Sequence, residues 1–122
     1  MDKKNNSNVL IVDDEKTVRD FLTRLVSLKG LTSKAAESGF EAIEMMNREV
    51  FDFVFLDVRM PKINGVQTLK ELKKINPGAK YVMMTGYSVD NLLEEAQKEE
   101  ILASIKKPFD INLVSSFLAE QL

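Results

Sequence analysis

The feature that most constrains the fold of this chain is a series of short apolar runs separated by longer segments. The runs lie at residues 9–12, 53–56 and 81–84, with a weaker one at 101–105. An apolar run that does not alternate with polar residues is typical of a strand buried on both faces, as in a parallel sheet. Residues 31–36, second in chain order, are more polar, which indicates an edge strand.

The segments between these runs carry apolar residues three and four positions apart, which is the spacing of one face of a helix. These stripes lie at residues 18–26, 40–46, 66–75, 89–96 and 111–118. Gly30 follows the first stripe as a stop, Pro77 and Gly78 break the chain after the third, and Asp110 is placed as an N-cap before the fifth. The stripes predict five helices whose apolar faces pack into a core.

Strand and helix therefore alternate five times, which predicts an α/β fold: a doubly wound, five-stranded parallel sheet with helices on both faces. A length of 122 residues allows one domain. We assign residues 1–7 to a polar tail and residues 8–122 to the domain. The N-terminus lacks the apolar centre of a signal peptide, and no apolar run is long enough to span a membrane. A cytoplasmic protein without membrane association is therefore expected.

Composition excludes several chemistries. The chain has no cysteine and no histidine, which excludes disulfides, thiol and imidazole catalysis, and cysteine or histidine metal sites. The net charge is −2 and the basic residues are scattered, so no direct binding of nucleic acid is expected. The reactive groups that remain are carboxylates, lysines, hydroxyls and the backbone.

Polar residues follow four of the predicted strands. They are Asp13 and Asp14 after the first, Asp57 after the third, Thr85 and Gly86 after the fourth, and Lys106, Lys107 and Pro108 after the fifth. Singly, each is ordinary turn, capping or surface chemistry, and Asp14 alone would suit a helix cap. Because the carboxyl ends of parallel strands share one edge of the sheet, we expect the whole set to converge on one crevice.

Three carboxylates in one crevice repel one another unless a cation or protons intervene. Carboxylate oxygens suit Mg²⁺, which keeps waters and bridges to phosphate oxygens. A lysine and a hydroxyl can bind a phosphoryl group, and a carboxylate can attack phosphorus to give an acyl phosphate. The cluster therefore predicts phosphoryl transfer to an aspartate, with Mg²⁺ and lysine offsetting the charge.

Four segments, in order along the chain, carry a resemblance to a known family. They are Val-Leu-Ile-Val-Asp-Asp-Glu at 9–15, Leu-Asp-Val-Arg-Met-Pro at 56–61 with Gly65 following, Met-Thr-Gly at 84–86, and Lys-Pro-Phe at 107–109. The set resembles the CheY-like receiver domain of bacterial two-component response regulators over essentially the whole chain. The resemblance implies a flavodoxin-like fold. It also implies a phosphoprotein switch rather than an enzyme, with at most weak autophosphorylation from small donors and weak autodephosphorylation.

The resemblance also implies roles for individual residues. Asp57 matches the phosphoryl acceptor. Asp13 and Asp14 match the acidic pair that holds Mg²⁺ together with Asp57, and the backbone carbonyl of Arg59 matches a further metal ligand. The groups that match the binding of the phosphoryl group are the Thr85 hydroxyl, the Gly86 backbone and the Lys107 ammonium, and in this family the peptide between Lys107 and Pro108 is usually cis.

Three positions match residues that modulate the family's switch. Arg59 and Tyr87 flank the site, where the family tunes the loss of the phosphoryl group. Ser104 stands where the family usually has Tyr or Phe, a ring that moves inward with the threonine. A small hydroxyl does not fill an aromatic slot, so altered coupling to Thr85 and a neutral substitution both stay open.

The resulting functional prediction is phosphorelay signal transduction. A sensor histidine kinase or a phosphotransfer protein would donate the phosphoryl group to Asp57. The face formed by the fourth helix, last strand and fifth helix would then engage a partner, an effector domain or a second copy of the chain as a homodimer. Regulation of transcription is one output that such a domain serves.

Two alternatives stay open at this point. The first is an aspartate-nucleophile phosphatase of the haloacid-dehalogenase type, which also uses Asp and Mg²⁺ but carries a second Asp two residues after the nucleophile. This chain has Arg59 at that distance from Asp57 and Glu15 at that distance from Asp13, so the match is imperfect. The second is a receiver-like interaction module that is not phosphorylated, which only Ser104 favours.

Overall fold

Five strands and five helices alternate along the residues that the computed structural model describes, which are 8–86, 91–107 and 111–121. In chain order they are β1 (Asn8–Val12), α1 (Lys16–Leu28), β2 (Thr32–Ala36), α2 (Gly39–Arg48), β3 (Phe53–Asp57), α3 (Gly65–Ile75), β4 (Lys80–Thr85), α4 (Asn91–Lys98), β5 (Ala103–Lys106) and α5 (Ile111–Gln121). The predicted alternation is confirmed, and the predicted tail, residues 1–7, lies outside the described part. Among the described helices, none has the length and apolar character needed to cross a membrane.

The strands form one parallel sheet in the order β2-β1-β3-β4-β5. The polar strand β2 lies at an edge, as its composition predicted. The chain runs outward from β1 to β2 and then crosses to the other side of β1 to build β3, β4 and β5. Ligands bind doubly wound sheets where the strand order reverses in this way. The carboxyl ends of β1 and β3 therefore mark the expected site.

The core lies in two layers, one on each face of the sheet. Leu10 and Val12 of β1 pack with residues of α2, α3 and α4. Val9 and Ile11 of the same strand pack with residues of α1 and α5. Successive side chains of a strand point to opposite faces, so a strand covered by helices on both sides is apolar at every position. This explains the uninterrupted apolar runs and confirms the doubly wound architecture.

Local predictions at the ends of elements were wrong. Phe40 and Ile75 belong to predicted core stripes but are 58% and 38% exposed. Phe40 lies in the first turn of α2, where Gly39 takes the buried side, and Ile75 is the last residue of α3. The last strand begins at Ala103 and not at residue 101. The predicted N-cap Asp110 lies outside the described residues.

Candidate functional site

Three predicted carboxylates meet at the carboxyl edge of β1 and β3. Asp13 and Asp14 follow β1, and Asp57 is the last residue of β3. One oxygen of each carboxylate lies within 4.8 Å of one oxygen of each of the others. Asp13 is fully buried and Asp57 is 4% exposed, whereas Asp14 is exposed. The strand ends therefore bring these side chains together, as the sequence predicted.

Contacts from β2, from α1 and from the loop between β1 and α1 hold Asp13 in place. Its N–H donates to the carbonyl of Ala36 in β2 at 3.1 Å, and its carbonyl accepts from Arg19 Nη1 of α1 at 2.9 Å. Its Oδ1 accepts from the N–H of Glu15 at 2.9 Å. Its Oδ2 is buried and accepts no hydrogen bond within the described residues, although Lys107 Nζ lies 2.7 Å away as an ion pair. A buried carboxylate oxygen with only charge to compensate it suits a cation.

The close approach of α3 places Asp57. The N–H of Val58 donates to the carbonyl of Met84 in β4 at 2.9 Å, and the carbonyl of Val58 accepts from the N–H of Gly65 at 2.8 Å. A Cβ on Gly65 would lie 2.1 Å from the Asp57 carbonyl oxygen. Asp57 Oδ1 lies 3.4 Å from the N–H of Arg59. Glycine at the start of α3 is therefore what allows the helix to pack directly against the end of β3.

Lys107 joins the acids from β5. Its N–H donates to the carbonyl of Thr85 at 2.7 Å, which ties the end of β5 to the end of β4. Its Nζ lies 2.7 Å from Asp13 Oδ2 and 3.6 Å from Asp57 Oδ1. Its Nζ also lies 3.3 Å from Glu15 Oε1. Glu15 was not predicted to belong to the site, although its place directly after the acidic pair was a signal in the sequence.

Burial sets the electrostatics of the pocket. Burial, and then the charge of Asp13, raise the pKa of Asp57 from 3.8 to about 7, against the opposing charge of Lys107. Burial likewise raises the pKa of Asp13, and the contact with Lys107 opposes that rise. Burial acts to lower the pKa of Lys107, but the contact with Asp13 and the charge of Asp57 outweigh it and raise that pKa. Protons and cations therefore compete for the acids.

The donor set fits a hard divalent cation such as Mg²⁺. Such an ion takes a few carboxylate oxygens and keeps several waters. The pocket offers the buried Oδ2 of Asp13, the nearly buried carboxylate of Asp57 and the exposed carboxylate of Asp14, which leaves one side open to water. The side chains present are those that a magnesium ion would require.

An open cleft of about 770 Å³ lies over the site. Its polar side chains and exposed backbone come from Asp14, Glu15, Thr17, Asp57, Arg59, Thr85, Gly86 and Lys107. Val18 and Phe21 of α1 form part of an apolar wall. Thr85 is buried at the end of β4, and Gly86 beside it is exposed. The described residues that were predicted for metal and phosphoryl binding therefore line one cleft, except Asp13, which is buried beside it within reach of Asp57 and Lys107.

The residues predicted to modulate the switch are placed differently. Arg59 is exposed and lines the cleft. Ser104 is exposed on β5, opposite Met83 in the strand register, and is not part of the cleft lining. Tyr87 and Pro108 lie outside the described residues, so the flanking role and the cis peptide stay predictions.

Known proteins with similar sequences agree with the predicted family. A family model described as the response regulator receiver domain matches residues 9–118. The transcriptional regulatory protein ZraR of Escherichia coli (strain K12) is 36% identical over 117 residues, which are 96% of this chain and 26% of that protein. Sporulation initiation phosphotransferase F of Bacillus subtilis (strain 168) is 29% identical over 96% of this chain and 94% of its own length.

The fold has a close counterpart among solved structures. Chemotaxis protein CheY4 of Vibrio cholerae superposes with a TM-score of 0.87 at 23% identity, over 96% of this chain and 99% of that one. At this identity the likeness shows the fold alone. The chain spans about a quarter of the ZraR relative, 26%, so it corresponds to one part of that longer protein.

Proposed function

The chain belongs to the response-regulator receiver domain family, which acts in phosphorelay signalling, and on that premise we propose that Asp57 is its phosphoryl acceptor. One observation carries the proposal. The Asp57 carboxylate lies with those of Asp13 and Asp14 within 4.8 Å, and 3.6 Å from the Lys107 ammonium, in an open cleft. An acceptor needs this combination of a carboxylate, counter-charge and access for a donor.

The donor would be a phosphohistidine on a sensor histidine kinase or a phosphotransfer protein. A carboxylate oxygen of Asp57 attacks phosphorus and forms the new P–O bond. The P–N bond of the donor breaks, and its electron pair leaves with the imidazole nitrogen. The product is an acyl phosphate on Asp57. The Lys107 ammonium is placed to offset the charge of the phosphoryl oxygens.

Asp13, Asp14, Asp57 and the backbone carbonyl of Arg59 would hold Mg²⁺. When bound, the ion neutralises charge on the acids and on the phosphoryl oxygens that approach them. The support is the buried Asp13 Oδ2, which accepts no hydrogen bond from the described residues, and the carboxylate cluster around it.

The acyl phosphate would bias the domain between two conformations. The Thr85 hydroxyl, the Gly86 backbone and Lys107 would bind the phosphoryl group, while Arg59 and Tyr87 would tune its loss. We propose that the response passes to the face of α4, β5 and α5, where Ser104 replaces the usual ring, and that this face engages an effector domain, a partner or a second copy.

The domain would act as a switch and not as a catalyst, with residues 8–122 forming the receiver. A cytoplasmic location and the lack of direct contact with nucleic acid or membrane belong to the same proposal. The ZraR relative is a transcriptional regulatory protein. For this chain, regulation of transcription would require an effector outside the domain.

Phosphorylation by a small donor tests the acceptor assignment. Incubation with acetyl phosphate and Mg²⁺ is expected to add one phosphoryl group, seen by intact mass and mapped to Asp57 by peptide analysis. Asp57→Asn is expected to abolish the adduct. Asp20→Asn, which changes an exposed carboxylate on α1, is the matched control and is expected to label like the wild type. Labelling of Asp57→Asn at the wild-type rate would refute the assignment.

A further inference from the structure

We propose that Arg19 is a positioning residue for the acidic pocket. It binds the main chain of Asp13 and so holds that carboxylate in the orientation that receives a cation. Its contact is with the backbone carbonyl of Asp13 and not with the carboxylate oxygens of that residue. The inference rests on the proposed metal-binding function, and it assigns to α1 a part in that function that neither composition nor motif indicated.

The hydrogen bond from Arg19 to the Asp13 carbonyl is called the brace below. The other contacts of Asp13 show what this brace achieves. Three of its four polar atoms are held: the N–H by Ala36, the carbonyl by Arg19 and Oδ1 by the N–H of Glu15. The fourth atom, Oδ2, is paired with the Lys107 ammonium 2.7 Å away. The backbone of Asp13 is thus fixed on both sides, and the remaining carboxylate oxygen contacts a positive charge.

The placement of Arg19 suits this role. Its side chain is only 16% exposed, although it carries a charge, and its Nη1 donates to the Asp13 carbonyl at 2.9 Å. Its Nη2 lies 3.6 Å from Glu37 Oε2, just after β2. A planar guanidinium can serve two acceptors at once, whereas a lysine offers a single point charge. Arg19 therefore ties the loop after β1 to the loop after β2 at the edge of the pocket.

Groups that orient a metal ligand commonly change metal affinity when they are removed, by about 10-fold or more. Loss of the Arg19 hydrogen bond frees the carbonyl of Asp13 and, with it, the loop that carries Asp14 and Glu15. Simple electrostatics predicts the opposite sign, because removing a positive charge near three carboxylates should strengthen the binding of a cation. The direction of the change in cation affinity therefore distinguishes a positioning role of Arg19 from a purely electrostatic one.

The test is Mg²⁺ affinity, measured by calorimetry on the unphosphorylated chain. Arg19→Met keeps most of the aliphatic stem and removes the donor, and it is expected to raise the Kd for Mg²⁺ by about 10-fold. Arg19→Lys keeps a donor and is expected to recover part of the affinity. Arg24→Met removes an equal charge from an exposed position of the same helix, and its Kd is expected to equal that of the wild type.

Amide hydrogen exchange in EDTA gives a readout that needs no metal. Arg19→Met is expected to speed exchange at Asp13 and Glu15, while amides in β4 keep their protection. An unchanged or tighter Kd for Arg19→Met, or equal shifts in Arg19→Met and Arg24→Met, would overturn the proposal. If Arg19→Met does not fold, Arg19→Leu, which also lacks a donor, decides: with unchanged exchange at Asp13 and an unchanged Kd, the brace has no role.

The outcome separates this inference from the proposed function. If the wild type takes up Mg²⁺ and is labelled on Asp57 while Arg19→Met has an unchanged Kd, only the brace fails. If the wild type itself shows no Mg²⁺ binding at millimolar concentration, the proposed metal site fails, and the exchange rates in EDTA still decide whether Arg19 orders Asp13.

Discussion

Asp57 is a nearly buried carboxyl group whose pKa lies far above its ordinary value. Its pKa rises from 3.8 in an exposed chain to about 7 in the folded domain, because burial and the Asp13 charge disfavour the carboxylate. Between these values the folded state binds a proton that the unfolded state does not. Stability from this group is therefore fully present below the unfolded pKa and is lost as the pH rises through about 7.

We accordingly expect the metal-free protein to lose stability as the pH rises from 5 to 8. The loss attributable to Asp57 over this range has an upper bound of about 3 kcal/mol, since about two units of the shift in its pKa fall within it and each unit is worth about 1.4 kcal/mol. Urea unfolding in EDTA at several pH values measures it. Asp57→Asn removes the titrating group, so its stability should vary less with pH and should exceed that of the wild type at pH 8. Parallel pH profiles for the two proteins would contradict the assigned environment.

At the scale of elements, the junction of β3 and α3 holds Asp57 in place. The helix begins with a capping box in which Asn64 accepts from the N–H of Gln67, and Gln67 accepts from the N–H of Asn64. Its first residue, Gly65, donates to the Val58 carbonyl. The helix end is thus pinned beside the strand end, and Asp57 has little freedom to move.

Gly65→Ala is therefore expected to be strongly harmful. Its Cβ would lie 2.1 Å from the backbone oxygen of Asp57, which cannot move aside as a flexible side chain would. We expect destabilisation of about 1–3 kcal/mol, together with slower phosphorylation of Asp57. Gly78→Ala is the matched control, because its Cβ would make an ordinary contact 3.7 Å from Asn76 Oδ1. Thermal denaturation and adduct formation measure both variants, and equal stability of the two would contradict the packing described.

The strands and helices also show which structural features could be predicted from the sequence and which could not. The uninterrupted runs predicted the strands because burial on two faces leaves a simple pattern. The exposure of Phe40 was missed because one helical stripe does not reveal which turn runs past the edge of the core. The contact of Glu15 with Lys107 was missed because it joins side chains 92 positions apart. The role of Arg19 was missed because a carbonyl partner leaves no pattern in side chains.

At the scale of the whole molecule, the site links strands that are distant in sequence. Asp13 and Asp57 stand on neighbouring strands, and Lys107 reaches them from the far edge of the sheet. That the residues after these strands share one edge of the sheet was predicted from strand–helix alternation. The order of the strands was not predicted from it. The distances between these side chains were not predicted, because they depend on the contacts that hold the loops after each strand.

Binding of Mg²⁺ is expected to stabilise the whole domain. A ligand that binds only the folded state at about 100 times its Kd adds about 2.7 kcal/mol. Thermal denaturation with Mg²⁺ and with EDTA measures the difference. Asp14→Asn should remove most of the stabilisation by Mg²⁺. Its melting temperature in EDTA should differ little from that of the wild type, because Asp14 is exposed. A Mg²⁺ effect of full size in Asp14→Asn would show that the ion acts elsewhere.

The strand order has a consequence for how the domain is made. No fragment shorter than residues 13–107 holds both the first acid and the lysine. A nascent chain that has emerged only through β4 carries Asp57, Asp13 and Asp14 without the Lys107 ammonium that pairs with two of them. The charge balance of the pocket is therefore complete only after β5 and Lys107 have been made.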